Sequence, residues 1–419
     1  ASLIKLANEK LNSYDYRAVP VHWRRLFTDA TLLNALARLL SGTSDDESDL
    51  LDLVRNLDMA LIVAGAPGME RTELVFRLVA AAQARLAMTT TTTTTTTTAD
   101  AARDRGRPAK RRRLSGGERL PPPYLARPLP VLPTLPDFVL PNAQREHSRP
   151  FVVRAAASEW TAVERWKDVE YLRAIGGGRG RVVPVEVGHD YTKAGWGQRI
   201  VPWYDFLDST FARATSTEED VRDRERFYLA QHSLLNQFPL LARDFPIPSL
   251  VYSEPPALVD QLSEYVAPQN EEGWILNAWL GGGGTVSQAH TDPYWNCYIQ
   301  VVGSKWIWVA PPSASRHMST FGSRRPDDDD TDEPATTDYM TNTSTIDVTA
   351  PLPNSSTLAN VDPPRESPPS TYTRAWLEQV EPVAQQIVLE AGDILVMPPG
   401  WWHAMKSLET SFSISMVLS

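Results

Sequence analysis

The sequence predicts an α+β chain, with a small helical domain followed by a larger β-rich domain of sandwich or barrel type. Three observations carry this reading. Apolar residues recur at helical spacing over residues 2–86, short aromatic-rich β runs dominate from about residue 129, and a polar tract separates the two. A length of 419 residues gives a prior of two to three domains. The 42% apolar and 22% charged content fits a globular chain with sizeable cores. No run approaches the ~18 consecutive apolar residues of a spanning helix, so no membrane partner is expected. The single cysteine, Cys297, excludes a disulfide framework and Cys-rich zinc or iron–sulfur sites, and suits a reducing compartment.

In the first segment, Leu3, Leu6 and Leu11 begin an amphipathic stretch. Leu32, Leu33, Leu36, Leu39 and Leu40 mark an expected buried helical face. Asp45 to Ala64 and Glu70 to Leu86 repeat the pattern across a break at Gly65-Ala66-Pro67-Gly68. The only histidine there, His22, lies beside Trp23 with no partner nearby in sequence, so residues 1–86 are expected to support or dock rather than catalyse.

Residues 87–128 read as a disordered linker. Ten threonines (Thr89 to Thr98) precede a basic tract and Pro121-Pro122-Pro123, with too little apolar surface to offset chain entropy. Lys110 to Arg113 has the composition of a nuclear-localisation cluster, which implies an import receptor as partner and the nucleus, with the cytoplasm besides, as location. A solvated charge run is the alternative. The net charge of −10 argues against direct nucleic-acid binding beyond this linker.

From residue 129 onward, Val182 to Val187, Trp274 to Leu280, Tyr298 to Val302, Trp306 to Val309, Ile387 to Leu389, Ile394 to Met397 and Phe412 to Leu418 are strand-like. Gly303-Ser304, Gly392-Asp393 and Pro398-Pro399-Gly400 mark turns, the first taken as a hairpin. Many short strands without alternating helices indicate a sandwich or barrel. Arg324 to about Thr371 is polar and Pro-rich, with six acids in the seven positions Asp327 to Glu333, and reads as a disordered surface insertion.

His290-Thr291-Asp292 and the later His403 carry the chemistry. Two imidazoles and a carboxylate can occupy one face of an Fe(II) ion and leave three positions open. Residues i and i+2 of a strand project to the same side, so the H-x-D spacing suits a shared metal. Alone, this pattern also arises as a surface pair. Lys305 follows in an apolar strand, where it either snorkels outward or faces the interior to bind an anion. Asn296 is an even six residues from His290, which keeps it on the ligand side of a regular strand. Tyr228 and Ser287 can supply hydroxyls, completing the groups needed to hold a dicarboxylate beside a metal.

His290-Thr-Asp292, Asn296, Lys305 and Gly392-Asp-Ile-Leu-Val-Met-Pro-Pro-Gly-Trp-Trp-His403 resemble the JmjC (cupin-like) Fe(II)/2-oxoglutarate oxygenases. Val183-Pro-Val-Glu-Val-Gly188, Tyr228-Leu-Ala-Gln-His232, Asn277-Ala-Trp279, Gly284-Thr-Val-Ser-Gln-Ala-His290 and Ser411-Phe-Ser-Ile-Ser415 are similar to the JmjC domain-containing protein 5 subgroup. The resemblance covers most of 137–419 apart from the acidic insertion, which departs from the family pattern. It implies a double-stranded β-helix (cupin/jelly-roll) JmjC domain over 129–419, with the insertion at about 324–371. It further implies Fe(II) on His290, Asp292 and His403, with 2-oxoglutarate and O2 as co-substrates. Lys305 would pair with the distal carboxylate of 2-oxoglutarate, assisted by Tyr228, Ser287 and Asn296. Glu186, Trp196 and Trp279 would receive a substrate arginine, a set whose planar acceptor and aromatic faces suit a guanidinium. The leading expectation is a protein-arginine hydroxylase acting on a protein or peptide, a histone tail in chromatin among the candidates. A histone N-methyl-lysine demethylase and a non-catalytic JmjC-fold binding module are the rivals.

Overall fold

The helical spacing near the N-terminus resolves into α1 (Ser2–Leu11), α2 (Val21–Ser41), α3 (Glu47–Ile62) and α4 (Arg71–Thr94). The structure is a computed structural model that describes residues 2–14, 18–41, 46–94, 131, 134–135, 149–188, 196–211, 226–252, 274–321, 341–350 and 372–418. The basic cluster Lys110 to Arg113, the threonines beyond Thr94 and the acidic run Asp327 to Glu333 lie outside the described residues.

The chain divides into two compact units, and the division differs from the one expected at residues 86 and 129. The first unit joins Ala1–Arg119 to Val169–Pro184 and Ile200–Asp208, and the second takes the rest. In the first unit Leu11, Phe27, Leu32, Leu39, Leu50, Leu53, Leu57, Val75 and Val79 form one apolar core. Of the five leucines expected on the buried face of α2, Leu33, Leu36 and Leu40 are exposed. A helix offers one stripe at i, i+3 and i+7, and Leu32, Ala35 and Leu39 occupy it. The helix α4 runs to Thr94, eight residues into the expected linker. Each added residue extends an existing helix by one backbone bond at little cost, and Thr89 Oγ1 donates to the Leu86 carbonyl at 2.9 Å.

A buried ion pair explains why residues around Arg181 belong with the helices. Arg181 Nε lies 2.9 Å from both carboxylate oxygens of Asp58, and its terminal nitrogen 2.8 Å from one of them. The Val182 amide donates to the same carboxylate at 2.8 Å. Arginine's planar fork matches a carboxylate edge, and the extra amide helps offset the desolvation of the buried acid.

The strands are β1 (Thr134–Leu135), β2 (Phe151–Val153), β3 (Val182–Val187), β4 (Gly197–Pro202), β5 (Phe227–His232), β6 (Trp274–Gly281) and β7 (Val286–Thr291). They continue with β8 (Trp295–Val302), β9 (Lys305–Ala310), β10 (Gln385–Leu389), β11 (Ile394–Met397), β12 (Trp402–Ser407) and β13 (Ser411–Leu418). A nine-stranded sheet runs β1-β2-β11-β8-β13-β6-β5-β3-β4, and a four-stranded sheet runs β10-β9-β12-β7. Tyr298, Leu395 and Met397 of the larger sheet pack with Ile307, Val309, Ile387, Leu389 and Met405 of the smaller. The two sheets therefore face one another as a sandwich, the jelly-roll form of an α+β chain.

Side-chain alternation divides the smaller sheet into two faces. Lys305, Ile307 and Val309 point to the interior. Trp306, Trp308 and Ala310 pack on the outer side with Met318, Ile346, Val348, Trp376 and Trp402. Ile346 and Val348 fall within the segment expected to be a disordered insertion, so residues 341–350 correct that expectation. Their apolar side chains are buried because the outer tryptophans otherwise face water. Gly303-Ser304 is likewise not a hairpin, since β8 and β9 lie in different sheets. Gly303 has φ of 69°, and an added Cβ would run into the Thr410 carbonyl, so only glycine makes this crossing.

Asp58→Ala should cost roughly 3–5 kcal/mol of stability, because it leaves Arg181 charged and buried without its partner. Urea denaturation checks this, and a loss below about 1 kcal/mol would mean that the pair behaves as a surface bridge.

Candidate metal centre

The centre is assembled by strand register. His403 on β12 lies directly opposite His290 on β7, and Trp402 opposite Thr291. Paired residues on antiparallel strands project to the same face, so both imidazoles point to the interior, with ring centroids 4.2 Å apart. Asp292 lies one residue past the end of β7, and its carbonyl accepts from the Gly400 amide at 2.8 Å. That bond ties the turn before His403 to the end of the H-x-D segment. One ligand atom from each of His290, Asp292 and His403 lies within 4.8 Å of the others.

The protonation pattern suits a cation. His290 Nδ1 is 2.7 Å from the Gln288 carbonyl and His403 Nδ1 is 3.1 Å from the Trp401 carbonyl. Carbonyls only accept, so each Nδ1 carries the proton and each Nε2 keeps its lone pair free. Burial, then the neighbouring His290, pushes His403 down to about 4, against the opposing pull of Asp292. His403 is neutral at pH 7, and its 3.6 Å approach to Asp292 is two ligands converging rather than an ion pair. The residues fit a facial two-histidine, one-carboxylate site.

A β-bulge completes the constellation. Met405 pairs with Ser287 while His403 pairs with His290, so β7 spends one more residue than β12 over this stretch. Ser287 and His290, three apart, would point to opposite faces of a regular strand, and the extra residue brings them to the same one. Asn296 reaches the interior by another route than the one expected. It lies on β8 in the opposite sheet, two residues from Tyr298 on the same face, so its even spacing from His290 plays no part.

Lys305 is fully buried at the start of β9, and among the described residues it meets no carboxylate. Its Nζ donates to Tyr298 Oη at 2.7 Å and to Tyr228 Oη at 3.3 Å. Both rings lie within 6 Å of the ammonium, Tyr298 at 5.4 Å and Tyr228 at 5.6 Å. Desolvation pulls Lys305 down to about 7. A buried lysine whose described partners are two phenols can receive an anion. Val309, which is in register with His403, lies four steps along β9 from Lys305, about 13 Å of strand. The lysine stem and a small dicarboxylate together can span that gap. Among the described residues Asn296 Oδ1 is buried without a hydrogen-bond partner, an acceptor that a donor such as a water or hydroxyl would satisfy. Tyr298 was not singled out in the sequence, where it reads as one more aromatic in an apolar run. Its signal was the two-residue spacing from Asn296.

Glu186, Tyr228 and Gly281 are aligned across β3, β5 and β6. Trp279, two residues before Gly281, shares their face, and its ring lies 6.2 Å from that of Tyr228. A Cβ on Gly281 would come within 2.7 Å of Tyr228 Cδ2, so glycine there leaves room for the phenol. Trp279 Nε1 donates to Ser415 Oγ at 3.0 Å, which fixes the indole. Trp196 stands immediately before β4 with Nε1 buried and, among the described residues, unpartnered. Register places Glu186 and Trp279 on one face of the larger sheet.

Residues 139–417 match a family model described as a cupin-like domain. Over 273 residues the chain is 32% identical to Jumonji C domain-containing protein 5 of Drosophila melanogaster, covering 64% of this chain and 54% of that protein. Over 428 residues it is 28% identical to Lysine-specific demethylase 8 of Danio rerio, covering 99% of this chain and 85% of that protein. Over 197 residues it is 31% identical to a Bifunctional peptidase and (3S)-lysyl hydroxylase of Homo sapiens, covering 46% of this chain and 54% of that protein. The chain thus spans about half the length of the fly and human relatives.

Replacing His290, Asp292 or His403 by alanine should abolish stoichiometric iron retention while the melting transition persists. Metal analysis of purified variants checks this, and iron content equal to the parent's would contradict the ligand set. A second expectation follows from Lys305. The ammonium is the form that binds a carboxylate, and its charged fraction falls as pH rises through about 7. Dicarboxylate binding should therefore take up a proton and weaken steadily above neutrality, as read by calorimetry in buffers of different ionisation enthalpy. Binding that is independent of pH would show that Lys305 is not the receptor.

Proposed function

Because the chain belongs to the cupin-like family, on its JmjC branch and related to the JmjC domain-containing protein 5 group, we propose that it is an Fe(II)- and 2-oxoglutarate-dependent protein hydroxylase acting on arginine side chains. The observation that carries the arginine reading is the shared face of Glu186, Tyr228 and Trp279. A carboxylate and an indole on one face offer a guanidinium both a planar acceptor and a π face.

His290, Asp292 and His403 would hold iron, and Lys305 with Asn296, Ser287 and Tyr228 would hold 2-oxoglutarate. Bound together with O2, these groups supply the oxidising power that inserts oxygen into an unactivated C–H bond. The chain's own contribution is position and dryness. Tyr228 and Tyr298 aim the Lys305 ammonium with their hydroxyls, and a bound carboxylate would hold its proton in place. The backbone carbonyls of Gln288 and Trp401 keep the histidine protons on Nδ1 and so keep both Nε2 atoms available. Glu186 would anchor the arginine head so that its aliphatic carbons, rather than its nitrogens, approach the metal. Trp279, and Trp196 as a second aromatic wall, would exclude water from that approach.

A lysine-directed reading is favoured by the names of the relatives, one a lysine-specific demethylase and one a lysyl hydroxylase. The demethylase form differs in product, since oxidation of an N-methyl group releases formaldehyde, and the lysyl hydroxylase form differs in the residue that gains the oxygen.

Glu186→Gln keeps the shape but removes the charge, and should abolish turnover of arginine peptides while uncoupled 2-oxoglutarate consumption continues. Trp279→Ala should weaken peptide binding by about 1–2 kcal/mol. Mass spectrometry of arginine and methyl-lysine peptides reads the outcome: one added oxygen on arginine is expected. Formaldehyde from methyl-lysine with no oxygen gained on any arginine would overturn the assignment.

A further inference from the structure

The residues 341–346, expected to be part of a surface insertion, run along the outer edge of the strand that carries the metal ligands. Thr343 bridges His290 in antiparallel fashion. The Ser344 amide donates to the Ala289 carbonyl at 2.8 Å, and the Thr291 amide donates to the Asn342 carbonyl at 3.0 Å. Asn342 adds a second bond through its side chain, Nδ2 donating to the Thr291 carbonyl at 2.8 Å. Both backbone polar groups of Thr291 are thus held by one residue, and Thr291 is the residue between His290 and Asp292.

The segment is itself held firmly. Phe321 N donates to Thr343 O at 3.1 Å and Thr345 N to Ser319 O at 2.8 Å, while Ser344 Oγ donates to the Met318 carbonyl. Ile346 and Val348 are buried beneath it against the outer tryptophans. Asn342 itself is exposed, with the Thr343 hydroxyl 3.4 Å from its Oδ1. An exposed asparagine whose amide is spent on a strand-edge carbonyl contributes little to the core, so its contribution is to geometry. Opposite Asn342, the edge of β7 is paired to β12, and Asp292 is tied to Gly400. Without the Asn342 side chain the backbone bonds on this edge remain, but the Thr291 carbonyl, in the peptide that leads to Asp292, loses the bond that holds it there.

We propose that Asn342 is a positioning residue for the metal centre, clamping the Thr291 backbone so that His290 and Asp292 present their ligand atoms together. This rests on the reading of His290, Asp292 and His403 as a metal site. Asn342 touches neither metal nor substrate and acts through Thr291.

The test is titration of the full chain with Co(II), followed by the visible absorption of the bound ion and by calorimetry. Asn342→Ala should weaken Co(II) about tenfold, the low end for groups that orient ligands, and should alter the absorption bands. Asn342→Asp is isosteric but cannot donate, and it sets a carboxylate against a carbonyl, so it should weaken binding at least as much. It also carries the test where the alanine variant is too unstable to titrate. Ser344→Ala removes the bond to Met318 on the outer side and should lower the melting temperature while leaving Co(II) affinity and spectrum at the parent's values. Parent-like affinity and bands in both Asn342 variants would overturn the clamp alone. So would a loss in Ser344→Ala equal to that in Asn342→Ala, which would mean general loosening. If the parent chain binds no Co(II), the metal-site reading falls and the clamp with it.

Discussion

The site depends on the register of β12 against its two neighbours. One row of inward-facing residues, His290, His403 and Val309, crosses β7, β12 and β9, and a row two residues further on places Ser287, Met405 and Ile307. The same pairing sets Ser407 opposite Lys305 at the end of the sheet. A slip of one residue would turn His403 outward into the layer of Trp306, Trp308 and Trp376 and bring Trp402 or Ala404 inward. Two apolar layers of different shape, one on each side of a four-stranded sheet, make that slip expensive. The chemistry is therefore specified by packing that never touches a metal.

The interior face keeps polar groups that the fold alone does not satisfy. Among the described residues Lys305 has only phenols for partners, and Asn296 Oδ1 and Trp196 Nε1 have none. Each costs desolvation energy that a hydrogen bond would normally offset. A dicarboxylate would meet the need of Lys305, so its binding free energy would add to the stability of the folded state. Burial lowers the basicity of both Lys305 and His403, joined at His403 by the neighbouring His290.

Much of this was legible in the sequence where a residue's chemistry and its environment conflicted. A lysine among tryptophans and an H-x-D segment are visible because they break the apolar pattern, and the apolar strands β3 and β11 were bounded to the residue. The ligand strands β7 and β12 were harder to see, since their inward faces carry Ser287, His290 and His403 and so lack the alternation that marks a strand. Parity arguments also failed where the backbone departs from regularity. The even spacing of Asn296 crosses from one sheet to the other, and the odd spacing of Ser287 is corrected by a bulge. Residues 341–350 were hidden because acid-rich and Pro-rich flanks dominate their composition, although Ile346 and Val348 lie at the two-residue spacing of a buried edge. The affiliation of Arg181 with Asp58 was not readable at all, for two residues so far apart in sequence carry no local sign of pairing.

The most direct measurement is to run the reaction of the iron-loaded chain with 2-oxoglutarate and an arginine-containing protein substrate under isotopically heavy O2. The account requires one heavy atom in the succinate released and one on an aliphatic carbon of arginine in the product. Heavy succinate with no label on arginine, and formaldehyde carrying it instead, would contradict the assignment; no succinate at all would contradict the enzyme.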